Sequence, residues 1–268
     1  MSKQIIKLGL IGKKVSKSLS GKIHGFILRK LGFDCEYESL SITPDELDGV
    51  VRRLLGDFDG FNITIPYKRD IFEYLDEIVE DAFDCGSVNT VVCSTRKGYN
   101  TDGVGFLLML ENAGVQVQGK KVLVLGAGGS GRSTAAALKR AGATVTAYRR
   151  NQAELAEVCE QLGVGATANP EEGGYDILVN CTGVGMHDTE GKSPVSVAAF
   201  AGAEWAVDLI YTPVQSEFLR LAKTQGVKTI NGAAMLFYQA YYADCLYLNK
   251  TPNIKEAKEF YEEFLKEE

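Results

Sequence analysis

The sequence predicts an α/β protein of two domains, on three observations. Its 268 residues exceed the usual span of one domain, roughly 100–200 residues. Short apolar runs alternate with amphipathic stretches in two separate series, one before residue 100 and one from residue 120 onward, which is the pattern of strands joined by helices. Glycine is enriched, with 29 residues against an ordinary share of ~7%, and it is densest at 126–131, directly behind an apolar run. The first domain is expected over 1–101 plus 239–268 and the second over 102–238, with a cleft between them.

In the first series, strands are predicted at IIKLGLIG, DCEYESLS and GFNITI. Between the last two, Thr43, Pro44 and Glu46 form a helix-start signature. Threonine caps, proline suits the first helical position and the glutamate three residues on completes a capping box. SVNTVVCSTRKGYN reads as a hairpin turning at Arg96-Lys97-Gly98. Thr101 or Asp102 then opens a helix that Gly114 stops, a bridge between the domains.

The second series runs KKVLVLGAGG, a helix to Gly142, ATVTAY, a helix from about Gln152, YDILVNC, EWAVDLIY, a helix from about Gln215, and VKTING. AAMLFYQAYYADCLYLNK and IKEAKEFYEEFLKE read as two closing helices that return to the first domain. GAGGSGR follows the apolar VLVL and precedes a helix-forming run, so Gly126, Gly128 and Gly131 satisfy G-x-G-x-x-G in its required setting. Gly126 makes the tight turn, Gly128 lets backbone approach a pyrophosphate, and Gly131 permits close packing of helix on strand. Gly129 lies inside the same loop. The second domain is therefore expected to be a Rossmann-type dinucleotide-binding domain. The same residues fit a P-loop except that Arg132 stands where that motif has lysine. About 20 residues past the glycines, where a site for NAD carries Asp or Glu, the chain offers Arg149 and Arg150, whose guanidinium groups suit a 2′-phosphate. NADP is the expected cofactor, with NAD possible.

Composition excludes several classes. Lys and Arg number 29 against 35 Asp and Glu, a net charge of −6, which disfavours nucleic-acid and membrane surfaces. No apolar run reaches the 18 or more residues of a spanning helix, and MSKQIIKLGLIG lacks the long apolar core of a secretory signal, so a cytoplasmic location is expected. The six cysteines include no C-x-x-C, and the two histidines lie far apart, which leaves no metal set. A polar constellation remains: Asn62, Thr64 and Lys68 after the third strand, Asn89, and Asp102 at a helix start. Amides, hydroxyls, one amine and one carboxylate suit a small polyhydroxylated acid.

These segments resemble the shikimate dehydrogenase family from end to end. S-x-S-P-x-x-H is matched by Ser18-Leu19-Ser20-Gly21-Lys22-Ile23-His24, N-V-T-x-P-x-K by Asn62 to Lys68, V-N-T by Val88 to Thr90, and N-T-D-G by Asn100 to Gly103. N-A-T-x-x-G-M is matched from Asn180 to Met186, D-x-x-Y-x-P from Asp208 to Pro213, and G-x-x-M-L-x-x-Q from Gly232 to Gln239. The resemblance implies reversible, NADP-linked reduction of 3-dehydroshikimate to shikimate, a step of chorismate and aromatic amino-acid biosynthesis. It implies that Lys68 and Asp102 are the catalytic pair, that Ser18 and Ser20 bind the substrate carboxylate, and that Asn62, Thr64, Asn89, Asp102 and Gln239 hold ring hydroxyls, with Tyr211 a further contact. Thr182, Gly232 and Met235 are implied at the cofactor. His24 reads as a structural hydrogen-bonding residue on a helix. A monomer or homodimer is expected. An NAD-linked quinate/shikimate dehydrogenase is the near alternative; a non-enzymatic dinucleotide sensor and a P-loop NTPase are the distant ones. The chain departs from the family at Gly21, where proline is usual, at Tyr148 and Arg150, which flank Arg149 in place of Asn and Thr, and at Ala234, in place of glycine.

Overall fold

A computed structural model describes residues 3–267. The chain forms two compact units, one through Gly105 and again from Leu236 onward, the other Phe106–Met235.

The first unit opens with β1 (Ile5–Gly12), α1 (Ser20–Lys30), β2 (Asp34–Ser41), α2 (Leu47–Asp57) and β3 (Gly60–Ile63). It continues through β4 (Glu77–Ile78), α3 (Glu80–Cys85), β5 (Thr90–Val92) and β6 (Lys97–Tyr99) to α4, which begins at Asp102 and ends at Asn112. Its sheet has the order β2-β1-β3-β5-β6-β4. β1 pairs in parallel with β2 and β3, whereas β5 is antiparallel to both β3 and β6. β1 is an interior strand, flanked by β2 and β3, and its Leu8 and Ile11 are fully enclosed. Phe61, Ile63, Val51, Leu54, Tyr67 and Val91 pack together as one apolar cluster. This is the expected outcome for strands with no solvated face.

Three details of this unit differ from what the sequence predicts. The α-helix begins at Leu47, because Pro44–Glu46 winds first as a 3₁₀ turn, a common form of helix entry. The capping contact forms nonetheless, with the Thr43 amide donating to Glu46 Oε2 at 2.8 Å. The hairpin turns over Cys93–Arg96 rather than Arg96–Gly98, because Arg96 adopts φ +49° and Lys97 already belongs to β6. The two-residue β4 and six-residue α3 are too short to show a period.

The second unit contains β7 (Lys121–Leu125), α5 (Gly129–Arg140), β8 (Thr144–Tyr148), α6 (Gln152–Leu162), β9 (Gly165–Ala166) and β10 (Ile177–Asn180). β11 (Trp205–Asp208), α7 (Glu217–Thr224) and β12 (Lys228–Asn231) follow. The strands are all parallel in the order β12-β11-β10-β7-β8-β9. The chain builds outward from β7 through β8 and β9, then returns to the other side of β7 at β10. That reversal is the switch point of a doubly wound sheet, beside which such folds place their ligand. α7 starts two residues later than the sequence suggests because Ser216 is its cap, accepting from the Leu219 amide at 3.3 Å.

α8 (Ala233–Tyr247) and α9 (Ile254–Glu267) close the chain. α9 packs on α1 through Phe264 and Phe26, whose ring centroids lie 5.3 Å apart, and through the Arg29–Glu267 ion pair at 2.9 Å.

Candidate active site

β3 ends at Ile63, and the chain turns through the cis Ile65–Pro66 bond toward Lys68. Tyr67 anchors that turn, its buried hydroxyl donating to the Ile42 carbonyl at 2.7 Å. Lys68 is itself buried, and its Nζ donates to Asp102 Oδ2 at 2.5 Å; each side chain is 8% exposed. Such a pair persists in a low-dielectric setting only when its remaining lone pairs find partners. Asp102 Oδ1 finds one in Asn89 Nδ2 at 2.7 Å.

Asn89 organises the rest. Its Oδ1 accepts from the Thr101 amide at 2.8 Å and from Thr90 Oγ1 at 3.0 Å, which fixes the orientation of the amide. Asn62 Nδ2 donates to Thr90 Oγ1 and to the Asn89 carbonyl at 3.2 and 3.3 Å. Gln239 Oε1 accepts from Asn89 Nδ2 and Thr101 Oγ1, both at 3.4 Å. Gly105 makes this possible, since a Cβ there would lie 2.7 Å from the Gln239 nitrogen. Ser18 donates to Ser20 Oγ at 2.9 Å just where α1 begins. Thr64 is half-buried beside the Lys68 turn.

Of the first unit's predicted residues, Asn62, Lys68, Asn89, Asp102 and Gln239 thus form one hydrogen-bonded group. Three residues join it to which the sequence reading gave no site role: Thr90 and Thr101, which lie inside the matched motifs, and Tyr37. The Tyr37 hydroxyl donates to Asn62 Oδ1 at 3.3 Å. Burial pushes its phenol well above the ordinary range, against an opposing hydrogen bond to Ser20. Its ring stacks on His24 at 5.1 Å, and a Cβ at Gly21 would approach that ring to 3.2 Å. Glycine at this position thus spares the Tyr37 ring a tight contact. His24 is held from beneath by Asp244, 2.6 Å from its Nδ1, with both side chains fully buried. Burial raises the Asp244 carboxyl and the His24 contact opposes the rise.

In the second unit, the glycine loop leaves β7 at the switch point. Gly126 takes φ +101°, open to glycine and closed to most other residues. A Cβ at Gly131 would lie 2.0 Å from the Gly126 carbonyl oxygen, whereas one at Gly128 would meet nothing within 4 Å. The loop is thus tight where helix meets strand and open at Gly128, where a pyrophosphate would approach. Gly129 begins α5, so its first turn presents amides suited to a phosphate. Arg132 is buried and donates to Gln161 Oε1 at 2.7 Å, so it does not stand as a P-loop lysine would.

Arg149 and Arg150 emerge where β8 ends. Arg150 is exposed, while Arg149 Nη2 is ion-paired with Glu154 Oε2. Thr182 Oγ1 donates to Asn180 Oδ1 at 2.6 Å, and Asn180 Nδ2 donates to Asp208 Oδ1 at 3.0 Å. Burial lifts the Asp208 carboxyl to about 6, although Ser216, the Ile210 amide and Asn180 all pull it down. Tyr211 is half-buried in the segment after β11, and burial raises its phenol. Met235 is buried, and a Cβ at Gly232 would lie 2.1 Å from the Leu209 carbonyl oxygen, so only glycine fits that approach.

A lysine that can exchange a proton, a carboxylate to hold it and amides able to grip hydroxyls serve alcohol and ketone chemistry. With a dinucleotide loop on the same chain, they define a nicotinamide-linked oxidoreductase acting on an alcohol carbon. No cluster of His, Cys, Asp and Glu that would hold a metal occurs among the described residues, nor any helix long and apolar enough to cross a membrane.

Residues 10–91 match the family model of the shikimate dehydrogenase substrate binding domain. The chain is 41% identical over 251 residues to the shikimate dehydrogenase (NADP(+)) of Caldanaerobacter subterraneus subsp. tengcongensis, covering 88% of this chain and 89% of that one. It belongs to the shikimate dehydrogenase family. The shikimate 5-dehydrogenase of Thermus thermophilus, solved in complex with NADP(H) and shikimate, is 33% identical with a TM-score of 0.88, over 97% of this chain and 99% of the other. That of Listeria monocytogenes, solved with shikimate and NAD, is 28% identical with a TM-score of 0.82, over 96% of each chain.

Proposed function

We propose that this protein catalyses the reversible, NADP-linked interconversion of 3-dehydroshikimate and shikimate. The observation that carries the reading is the buried Lys68–Asp102–Asn89 group, set among Asn62, Thr101 and Gln239. When bound, NADP would supply or receive the hydride at the alcohol carbon. Gly126, Gly128, Gly129 and Gly131 would hold its pyrophosphate, Arg149 and Arg150 its 2′-phosphate, and Thr182, Gly232 and Met235 would lie near its nicotinamide end.

The chain's own residues do the rest. Ser18 and Ser20 offer hydroxyls to the substrate carboxylate, and Tyr37 fixes the distance between Ser20 and Asn62. Asn62, Thr64, Asn89 and Gln239 grip the ring hydroxyls, and Tyr211 adds a contact. Lys68 Nζ takes the hydroxyl proton during oxidation and returns it during reduction. Asp102 keeps the amine aimed at that oxygen. Asn89 holds Asp102 in turn, so the catalytic group is oriented before substrate arrives, which lowers the entropic part of the barrier.

The protein acts in the cytoplasm as a monomer or homodimer on a small molecule, without nucleic acid or membrane as partner. Reduced-nicotinamide absorbance with shikimate and with quinate, each paired with NADP and with NAD, tests the reading. Turnover is expected with shikimate and NADP, and silence in that mixture refutes it. Equilibrium sedimentation settles the number of chains.

A further inference from the structure

The ion pair at the end of β8 bears on which nicotinamide cofactor the chain accepts. β7 and β8 are in register from Lys121↔Thr144 to Leu125↔Tyr148, and the Gly126 amide donates to the Tyr148 carbonyl at 2.8 Å. Arg149 therefore leaves the sheet directly beside the glycine loop. Its guanidinium is engaged by Glu154, the third residue of α6.

Glu154 is held from two sides. Asn151 Nδ2 donates to its Oε1 at 2.6 Å while Arg149 engages Oε2. Asn151 also caps the helix, its Oδ1 accepting from the Glu154 amide at 3.3 Å. The carboxylate is thus fixed by the helix start and does not trail in solvent. Arg149 and Glu154 are 36% and 47% exposed, so an incoming ligand reaches both.

NADP and NAD differ only in the 2′-phosphate. A guanidinium here receives that phosphate, while a carboxylate at the end of this strand accepts a hydrogen bond from a free 2′-hydroxyl, and the Arg149 contact brings the Glu154 carboxylate to that strand end. This chain carries both groups and pairs them with each other. We propose that Glu154 is a specificity-determining residue, competing with the 2′-phosphate of NADP for Arg149 and accepting the 2′-hydroxyl of NAD, so that the enzyme uses both cofactors in a ratio Glu154 sets. The proposal rests on the nicotinamide-linked reading above. To bind the phosphate, Arg149 gives up its carboxylate partner, and the remaining negative charge repels the phosphate. To bind the hydroxyl, nothing has to separate.

The experiment compares wild type with Glu154→Gln, which keeps the shape and removes the charge. Titration calorimetry with a 2′-phosphorylated adenosine nucleotide and with its unphosphorylated counterpart reads the site without turnover, and kcat/KM with each cofactor reads it during turnover. Glu154→Gln is expected to tighten the phosphorylated nucleotide about fivefold, and to raise the NADP-to-NAD ratio of kcat/KM by about fivefold to tenfold, a size fitting one exposed charge pair plus one lost repulsion. The KM for shikimate stays fixed. In an Arg149→Ala background the tightening shrinks, because the competition is gone. Equal changes for both nucleotides, or none, overturn the proposal while leaving the enzymatic reading intact. Failure of the wild type to bind either nucleotide overturns both.

Discussion

Lys68 shows how much of the proposed chemistry rests on single side chains. Its amine is almost sealed from water, Asp102 is its closest partner, and Asn89 restrains Asp102 in turn. Truncation removes the amine proposed to carry the proton and leaves a buried carboxylate facing the space. Lys68→Ala should therefore lower turnover by about 100-fold or more with the affinity for NADP nearly unchanged, since no cofactor-loop residue is touched. Stopped-flow turnover and nucleotide titration on the same sample check this, and near-normal turnover removes Lys68 from the mechanism. That Lys68 and Asp102 belong to one polar group was legible in the sequence because each sits in a short motif. Tyr37 was not: it lies mid-strand in DCEYESLS, and only the pairing of β2 with β1 and of β1 with β3 brings its hydroxyl to Asn62. Asp244 was equally hidden, being 220 residues from its partner His24.

At the scale of the element, the glycine loop separates two roles that one motif combines. Gly131 is where α5 meets the turn, and a methyl group there would run into the Gly126 carbonyl. Gly131→Ala should cost about 1–3 kcal/mol of stability, as overpacking does, outweighing the helix-propensity gain of about 1 kcal/mol from alanine. Gly128 has φ −78° and open space around its Cα, so Gly128→Ala should unfold at the wild-type denaturant midpoint while weakening dinucleotide binding. Urea unfolding and nucleotide titration of both variants separate the effects; equal stability loss at the two positions would show that the loop is merely a tight turn. The strand–helix alternation was readable because buried parallel strands leave continuous apolar runs and their helices leave amphipathic ones. Boundaries were less so: Ser216 and the 3₁₀ turn at Pro44 each shift a helix start by forming local hydrogen bonds that periodicity does not register.

For the molecule as a whole, the two series of elements in the sequence correspond to two sheets, and the net charge of −6 is carried with several carboxylates enclosed. Asp208 is one whose ionisation should be visible in global stability. It joins the ends of β10 and β11 to the cap of α7, accepting from Asn180, from the Ile210 amide and from Ser216. Burial raises its carboxyl from the ordinary 3.8 to about 6 in the folded chain. Between those two values the folded state holds a proton that the unfolded state has released, so falling pH favours folding through this window. The contribution is absent above the folded value and complete below the unfolded one, where it reaches about 3 kcal/mol. This is opposite in sign to the usual paired carboxylate, whose stabilisation is lost in acid. Other groups titrate in the same range, and the difference between wild type and Asp208→Asn cancels them. Urea unfolding of both proteins across the window should give a stability difference that moves in favour of wild type as pH falls. A difference that stays flat would mean that the hydrogen bonds to Asp208 offset its burial in full, and that the carboxyl ionises in the folded chain as it does in the unfolded one.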